Sequence, residues 1–170
     1  IYAAWHAPKA GHEDSVTLDV ASLVLSGGRS SRLYRALVYD EPLVNSVHAY
    51  YIEYMHAGLF YATAAVRPGG SVDAAEARMF EGIEEAVREG VEPDEVGKAK
   101  RQLEVSLVGG LGTAHATADR IGREMSLFGR VRPLADRIAE IRAVSAEDVQ
   151  RALREVIRTD QRSVVRVVPP

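Results

Sequence analysis

The chain contains 170 residues, of which 46% are hydrophobic and 26% charged, and its formal net charge is −3. This composition is typical of a folded globular protein, and it lacks the positive charge that nucleic-acid-binding domains usually carry. The absence of cysteine excludes disulfides, thiolate metal ligands and a cysteine nucleophile. No hydrophobic run reaches the length of a membrane span, so a membrane is not expected as a partner. Because the net charge is negative, a nucleic acid is not expected as a partner either.

The first half of the sequence predicts a strand, two helices and a β-hairpin. Gly27 and Gly28 have the backbone freedom to end the first helix, and Ser30 or Ser31 is a suitable N-cap for the second. Pro42 cannot lie within a helix, so the chain leaves the second helix before it. These elements are predicted at residues 1–7, 13–25, 30–40, 43–54 and 59–66 in turn.

The second half predicts five helices and a closing strand. Ser71 or Asp73 is a candidate N-cap for the first of these helices, with Glu76 at the capping-box position relative to Asp73. In the last helix, Ser145 and Asp148 form the same pattern. The helices are predicted to begin near residues 71, 93, 113, 133 and 145, and the strand to span residues 162–168. The apolar positions that mark the third helix are Ile121, Met125 and Phe128.

The order of these elements indicates the fold class. Strands that gather into one sheet, with helices packed on one side, define an α+β fold. No internal repeat or low-complexity linker divides the sequence, which predicts a single domain over residues 1–170. Because the chain begins with Ile1, inside a predicted strand, we expect it to be a fragment of a longer protein.

One segment carries a resemblance to a known family. Residues 27–34 read Gly-Gly-Arg-Ser-Ser-Arg-Leu-Tyr, and residues 43–47 read Leu-Val-Asn-Ser-Val. The order and spacing resemble the start of the second, non-metal domain of pitrilysin/insulinase-type zinc peptidases, the inverzincins. Weaker similarity continues at residues 91–96 and 98–103. The resemblance implies an α/β roll, in which a mostly antiparallel sheet is packed on one face by several helices.

The chain lacks the metal-binding motif of that family. An inverzincin site needs His-x-x-Glu-His on a helix, which places two imidazoles on one face and leaves the Glu to act on metal-bound water. None of the histidines starts this motif; they are His6, His12, His48, His56 and His115. No residue of this chain is therefore predicted to be catalytic or to bind a metal. The resemblance implies zinc in a partner domain of the parent protein.

The resemblance also points to two candidate substrate-binding positions. Many second domains of this family carry an Arg in the short helix and a Tyr seven residues later, and the pair reaches the substrate in the zinc site of the other half. In this chain Val38 and Asn45 occupy those positions. Val38 has no hydrogen-bond donor on its side chain, so the pair is either lost or supplied by a separate subunit.

Two further features have a structural and a functional interpretation. The Gly-Gly-Arg-Ser-Ser-Arg run is either an anion cradle at a helix N-terminus or a capped turn in which Arg32 pairs locally; no Gly-Lys-Ser/Thr follows it, which favours the turn. Several tyrosines cluster on the predicted hairpin, and they either pack within the sheet or form a peptide-binding surface. These are Tyr50, Tyr51, Tyr54 and Tyr61.

The resemblance predicts a function for the chain. It would be a non-catalytic domain that forms one wall of a peptide-binding chamber, opposite a zinc-bearing N-terminal domain or partner subunit. Members of the family often hold the peptide by strand addition to a sheet edge. A homodimer, a proteolytically inactive structural domain like the respiratory-complex core proteins, and a free-standing interaction domain remain as alternatives. Nothing in the sequence separates a bacterial cytoplasmic from a periplasmic location.

Overall fold

The computed structural model of the chain describes residues 1–167, and its strands form one open antiparallel sheet. The strands lie in the order β2-β3-β1-β4. Their bounds are β1 Tyr2–Ala7, β2 Val44–Glu53, β3 Gly58–Val66 and β4 Ser163–Val165. The predicted hairpin is confirmed, because β2 and β3 pair antiparallel across a tight turn. The last strand is shorter than predicted, and position 168 of that prediction lies outside the described residues.

Helices form the second layer and occupy most of the rest of the described chain. Their bounds are α1 Ser15–Ser26, α2 Arg32–Tyr34, α3 Val72–Glu89, α4 Pro93–Gly109, α5 Ala114–Phe128, α6 Leu134–Ala143 and α7 Ala146–Val156. Helix α1 packs against β2 and against α4 and α7, so it lies at the centre of the helical layer. Within the described residues, no helix combines the length and the apolar character needed to cross a bilayer.

The core lies between one face of the sheet and these helices. Side chains alternate between the two faces of a strand, and the inward-facing positions of β1, β2 and β3 are buried. Trp5 on β1 is central to this core. Its ring packs edge-to-face on Phe60 of β3 at 6.5 Å and on Phe80 of α3 at 6.2 Å between centroids. A sheet packed on one face by helices confirms the predicted α+β fold of the roll type.

Of the two predicted capping boxes, one forms and the other does not. Ser145 and Asp148 form the predicted capping box at the start of α7. At α3 the cap is Ser71, whose hydroxyl accepts a hydrogen bond from the Ala74 amide at 3.1 Å. The predicted box between Asp73 and Glu76 is wrong, because both carboxylates accept hydrogen bonds from the guanidinium of Arg166, which follows β4.

The short helix after α1 departs from a regular α-helix. It begins at Arg32 as predicted, but from Arg35 to Asp40 it widens into a π-helix. The hydroxyl of Ser31 does not cap the helix and instead donates to the carbonyl of Gly28 at 2.6 Å. Single π-turns are uncommon and occur often at functional sites, so this segment is of interest beyond its role in packing.

Helix α5 buries one charged side chain and exposes two of its apolar ones. Glu124 is only 6% exposed, whereas Ile121 and Met125, which mark this helix in the sequence, are 45% and 49% exposed. The carboxylate of Glu124 accepts hydrogen bonds from the Arg120 side chain at 3.2 Å and from the Arg132 amide at 2.6 Å. These bonds hold α5 to the loop that leads into α6, together with the Arg132 guanidinium, which lies 4.0 Å over the ring of Phe128.

Candidate functional site

The face of the sheet opposite the helices is open and aromatic. We call it the outer sheet face; its members are Tyr2, Ser46, His48, Tyr50, Ile52, Tyr61 and Thr63. Tyr50 lies directly opposite Tyr61, and Thr63 lies between His48 and Tyr2 across three strands. Tyr2 is 55% exposed and Tyr50 is 46% exposed. The rings of His48 and Tyr50 stack with their centroids 5.7 Å apart.

One of the hairpin tyrosines lies in the core, and the others lie outside it. Tyr51 faces the core, where its hydroxyl donates to the carbonyl of Pro8 at 2.7 Å and contacts the Ser15 hydroxyl at 3.3 Å. Burial raises the pKa of Tyr51 to about 12. Tyr50 and Tyr61 lie on the outer sheet face, and Tyr54 is exposed just beyond β2. Core packing therefore applies to Tyr51 alone, whereas Tyr50 and Tyr54 are exposed and Tyr61 is half-buried.

The two candidate substrate-binding positions lie at one corner of the sheet. The pairing of β2 with β3 passes from Val44–Val66 to Ser46–Ala65, so Asn45 is the extra residue of a β-bulge and is exposed. Val38 lies in the π-helix, half-buried against the core. The Leu43 amide bonds back to the carbonyl of the residue before Val38 at 2.9 Å, which brings the π-helix and the start of β2 together. Bulges occur often beside active sites, where they redirect a side chain.

An arginine that the sequence does not single out lies at the same corner. Arg67, just after β3, donates from its backbone amide to Leu43 at 3.2 Å and from Nε to the Val44 carbonyl at 3.3 Å. It also lines a cavity of about 630 Å³ that reaches the outer sheet face at Tyr2 and Thr63. Only the strand register brings Arg67 next to the bulge, so no local motif could have identified it.

The middle of the free edge of β2 is occupied by a side chain of this chain. The Ser26 hydroxyl, at the end of α1, accepts a hydrogen bond from the Ala49 amide at 2.7 Å and lies 3.3 Å from the Ala49 carbonyl. Alternate residues of an edge strand direct their amide and carbonyl groups outward, and Ala49 is one of these. An added strand cannot pair along this part of β2 without displacing Ser26.

Comparison with known proteins identifies the family. The model of the family described as the peptidase M16 inactive domain matches residues 1–103. This chain belongs to that family. An uncharacterized zinc protease of Streptomyces coelicolor is 31% identical over 140 residues, which cover 82% of this chain and 30% of that protein. A protein assigned as the mitochondrial-processing peptidase subunit beta of Arabidopsis thaliana is 30% identical over 164 residues, or 91% of this chain and 29% of that protein.

Solved structures extend the same relationship to the fold. A Bordetella pertussis protein assigned as a zinc protease has a TM-score of 0.86 and 25% identity, and the match covers 99% of this chain and 92% of that one. The chain thus spans less than a third of the two matched relatives but nearly the whole of this crystallised chain. The predicted membership of the zinc-peptidase family is confirmed.

One group of side chains in this M16 inactive domain has donor atoms close enough to suggest a metal. Among the described residues, His12, Glu13 and Asp14 each offer a ligand atom within 4.8 Å of the others. Arg151 already donates to both oxygens of the Asp14 carboxylate at 3.1 and 2.5 Å, and His12 Nδ1 accepts the Asp14 amide at 3.1 Å. Because His12 Nδ1 and both oxygens of the Asp14 carboxylate are already bonded within the chain, the group does not fit zinc.

The Gly-Gly-Arg-Ser-Ser-Arg segment of the M16 inactive domain is structural. Gly28 takes a φ of +94°, which favours glycine over other residues. Arg32 donates two hydrogen bonds to Glu95 at the start of α4, at 2.8 and 2.6 Å. The prediction that Arg32 pairs locally is wrong, because Glu95 lies 63 residues further along the chain. The same Glu95 carboxylate completes the capping box of α4 with the Glu92 backbone.

Proposed function

We propose that this chain is a single non-catalytic domain, over residues 1–170, of a zinc-dependent metalloendopeptidase. It forms one wall of a peptide-binding chamber, and the zinc lies in a partner domain or subunit on the opposite wall. The family membership and the zinc-protease relatives support this assignment. The single observation that carries the wall role is the outer sheet face, a surface on which Tyr2 and Tyr50 are exposed.

The outer sheet face suits contact with an extended peptide. Tyrosines provide large rigid contact surfaces with a polar end, and they lose little rotamer entropy when a ligand binds. Tyr50 and Tyr61 form a cross-strand pair at its centre, with the stacked His48 beside them. The Ser26 hydroxyl on Ala49 argues against strand addition along the middle of β2. The peptide is therefore held by side chains of the face, and not by the backbone of this edge.

The partner is a domain or subunit that carries the zinc. This chain contains no His-x-x-Glu-His motif, and the His12 group is already bonded internally. One of the matched relatives is assigned as a subunit, a mitochondrial-processing peptidase subunit beta, which fits a two-part arrangement. When bound there, zinc supplies activation of a water molecule for attack on the peptide bond. The residues of the present chain act only by holding the peptide.

Peptide hydrolysis by the full-length protein that contains this chain tests the proposal. We expect cleavage of a peptide substrate that a chelator abolishes. The Tyr50→Ser variant should raise KM severalfold with little change in kcat, because it removes binding that substrate and transition state share. Val105→Ser, at an exposed apolar position of α4, is the matched control and should leave both constants unchanged. Chelator-sensitive cleavage with an unchanged KM in Tyr50→Ser would remove the outer sheet face from substrate binding.

Val38 and Asn45 are proposed as substrate-facing positions even though neither carries the side chain of the family pair. Their location beside the bulge supports this assignment. In the full-length protein, the double variant Val38→Arg/Asn45→Tyr should raise kcat/KM, because it restores the guanidinium and the phenol of the family pair, which can both donate hydrogen bonds to the substrate. Equal kcat and KM in the double variant and the parent would show that the corner does not contact the substrate.

A proteolytically inactive structural domain of the same fold is the second candidate. The absence of hydrogen-bond donors at Val38 favours it, because a chamber wall without the family pair contributes less to catalysis. In that case the full-length protein would cleave no peptide at any zinc concentration, yet it would still co-purify as an assembly with a partner subunit. Chelator-sensitive cleavage excludes this alternative.

A further inference from the structure

The cavity beside Arg67 has the chemistry of a carboxylate site. It measures about 630 Å³ and is lined by Val66 and Val72 on its apolar side and by the hydroxyl-bearing Tyr2, Ser46 and Thr63 toward the outer sheet face. Arg67 supplies the only charged side chain among the described residues that line it. A mostly apolar cavity with a few convergent polar groups is the usual form of a ligand site.

Arg67 is held in place but not neutralised. Its backbone amide donates to the Leu43 carbonyl and fixes the main chain, and its Nε donates to the Val44 carbonyl at 3.3 Å and orients the guanidinium. No carboxylate lies within ion-pair distance of Arg67 among the described residues, whereas most arginines of the second half of the chain have such a partner. With Nε occupied, the two terminal nitrogens make no hydrogen bond within residues 1–167, and they can bind both oxygens of one carboxylate.

We propose that Arg67 and this cavity bind a carboxylate of the peptide that lies on the outer sheet face. The proposal rests on the peptide-binding function proposed above and identifies which peptides the wall selects. The apolar lining at Val66 and Val72 accommodates an aliphatic side chain next to the carboxylate. The carboxylate belongs either to the C-terminus of the peptide or to an acidic side chain, and the Arg67 guanidinium can bind either one.

Three synthetic peptides test the site with the present chain. The first is acetyl-Ala-Ser-Ala-Leu with a free C-terminal carboxylate, the second is its C-terminal amide, and the third is an amide with Glu in place of Ser. Binding is followed by two-dimensional amide NMR, at residues 65–70 and on β2. We expect the free acid to bind about fivefold more tightly than the plain amide, as for an exposed charge-assisted contact. Tight binding of the third peptide would assign the site to acidic side chains as well.

Variants of Arg67 separate this site from general peptide binding. Arg67→Gln should remove the preference for a carboxylate, and Arg67→Lys, which keeps the charge but loses the paired donors, should retain part of it. Arg123→Gln, at an exposed position of α5, controls for the loss of one positive charge and should retain the full preference. A preference that survives Arg67→Gln, or equal binding of acid and amide, overturns the carboxylate site and leaves the peptide-binding wall intact. If none of the peptides binds at millimolar concentration, both proposals are wrong.

Discussion

Arg151 on α7 clamps the carboxylate of Asp14, which lies 137 residues earlier, at the start of α1. Its terminal nitrogens donate to both oxygens at 3.1 and 2.5 Å, and Asp14 is only 3% exposed. A carboxylate buried at this level needs a partner, since an uncompensated charge is costly in the interior. The pair therefore fixes the last helix to the first and closes the helical layer.

Removal of this clamp should destabilise the fold. In Arg151→Ala the Asp14 carboxylate stays buried without its cation, and we expect the free energy of unfolding to fall by about 2 kcal/mol. Urea denaturation measures this change in the free energy of unfolding. Arg158→Ala is the matched control, because its partner Asp160 is exposed, and it should cost less than about 0.5 kcal/mol. A cost in Arg151→Ala no larger than in the control would show that solvent alone satisfies Asp14.

Asp19 should make stability depend on pH. Burial of this residue of α1 raises its pKa to about 7, against a lowering effect of Arg137 and with a further rise from Glu53. Because the folded state binds the proton more tightly than the unfolded state, the stability this provides is complete below the ordinary pKa of 3.8 and is lost as pH rises through 7. Asp19→Asn, which cannot ionise, should match the parent at pH 4 and exceed its stability by about 1–3 kcal/mol at pH 8.

The control for the Asp19 experiment is Asp119→Asn, which removes the same charge from an exposed position of α5. It should differ from the parent by less than about 0.5 kcal/mol at both pH values. Chemical denaturation at pH 4, 6 and 8 gives the full comparison. A stability difference between Asp19→Asn and the parent that does not grow with pH would contradict the assignment of a raised pKa to the half-buried Asp19 carboxyl.

In helix α5, a charged residue should contribute more to the free energy of unfolding than an apolar one. Glu124 is buried and bonded to Arg120 and to the Arg132 amide, while Ile121 is 45% exposed. We expect Glu124→Ala to lower the free energy of unfolding by about 1–3 kcal/mol and to speed amide hydrogen exchange in α5. Ile121→Ala should cost less than about 1 kcal/mol. The reverse order would mean that α5 is held by its apolar residues after all.

The local patterns of the sequence located the helices and the hairpin but not the contacts between distant elements. The capping box of Ser145 and Asp148 is encoded within four residues, and it forms as predicted. By contrast, Asp73 and Glu76 present the same local pattern and yet bind Arg166, which lies beyond β4. A long-range guanidinium competes for a carboxylate that local spacing assigns to a cap, and the sequence contains no signal of that competition.

The candidate site shows the same limit. The family resemblance identified Val38 and Asn45 as positions of interest, but no local pattern in the sequence indicated the bulge at Asn45 or the π-helix around Val38. Arg67 enters this corner only through the pairing of β2 with β3. In α5, apolar spacing did not identify Glu124, which is buried because the Arg120 side chain and the Arg132 amide satisfy its carboxylate.

Ser26 provides the last test, because it protects an otherwise free strand edge. In Ser26→Ala the Ala49 amide and carbonyl lose their partner in the middle of β2, and we expect a cost of about 1–2 kcal/mol in urea denaturation. The exposed edge should also promote association, seen as concentration-dependent growth of the apparent mass in light scattering. Ser22→Ala is the matched control on the same helix, since the Ser22 hydroxyl bonds only within α1, to the Asp19 carbonyl. If both serine variants unfold at the same urea concentration and stay monomeric, Ser26 does not guard the edge, and strand addition to β2 becomes an available way of holding the peptide.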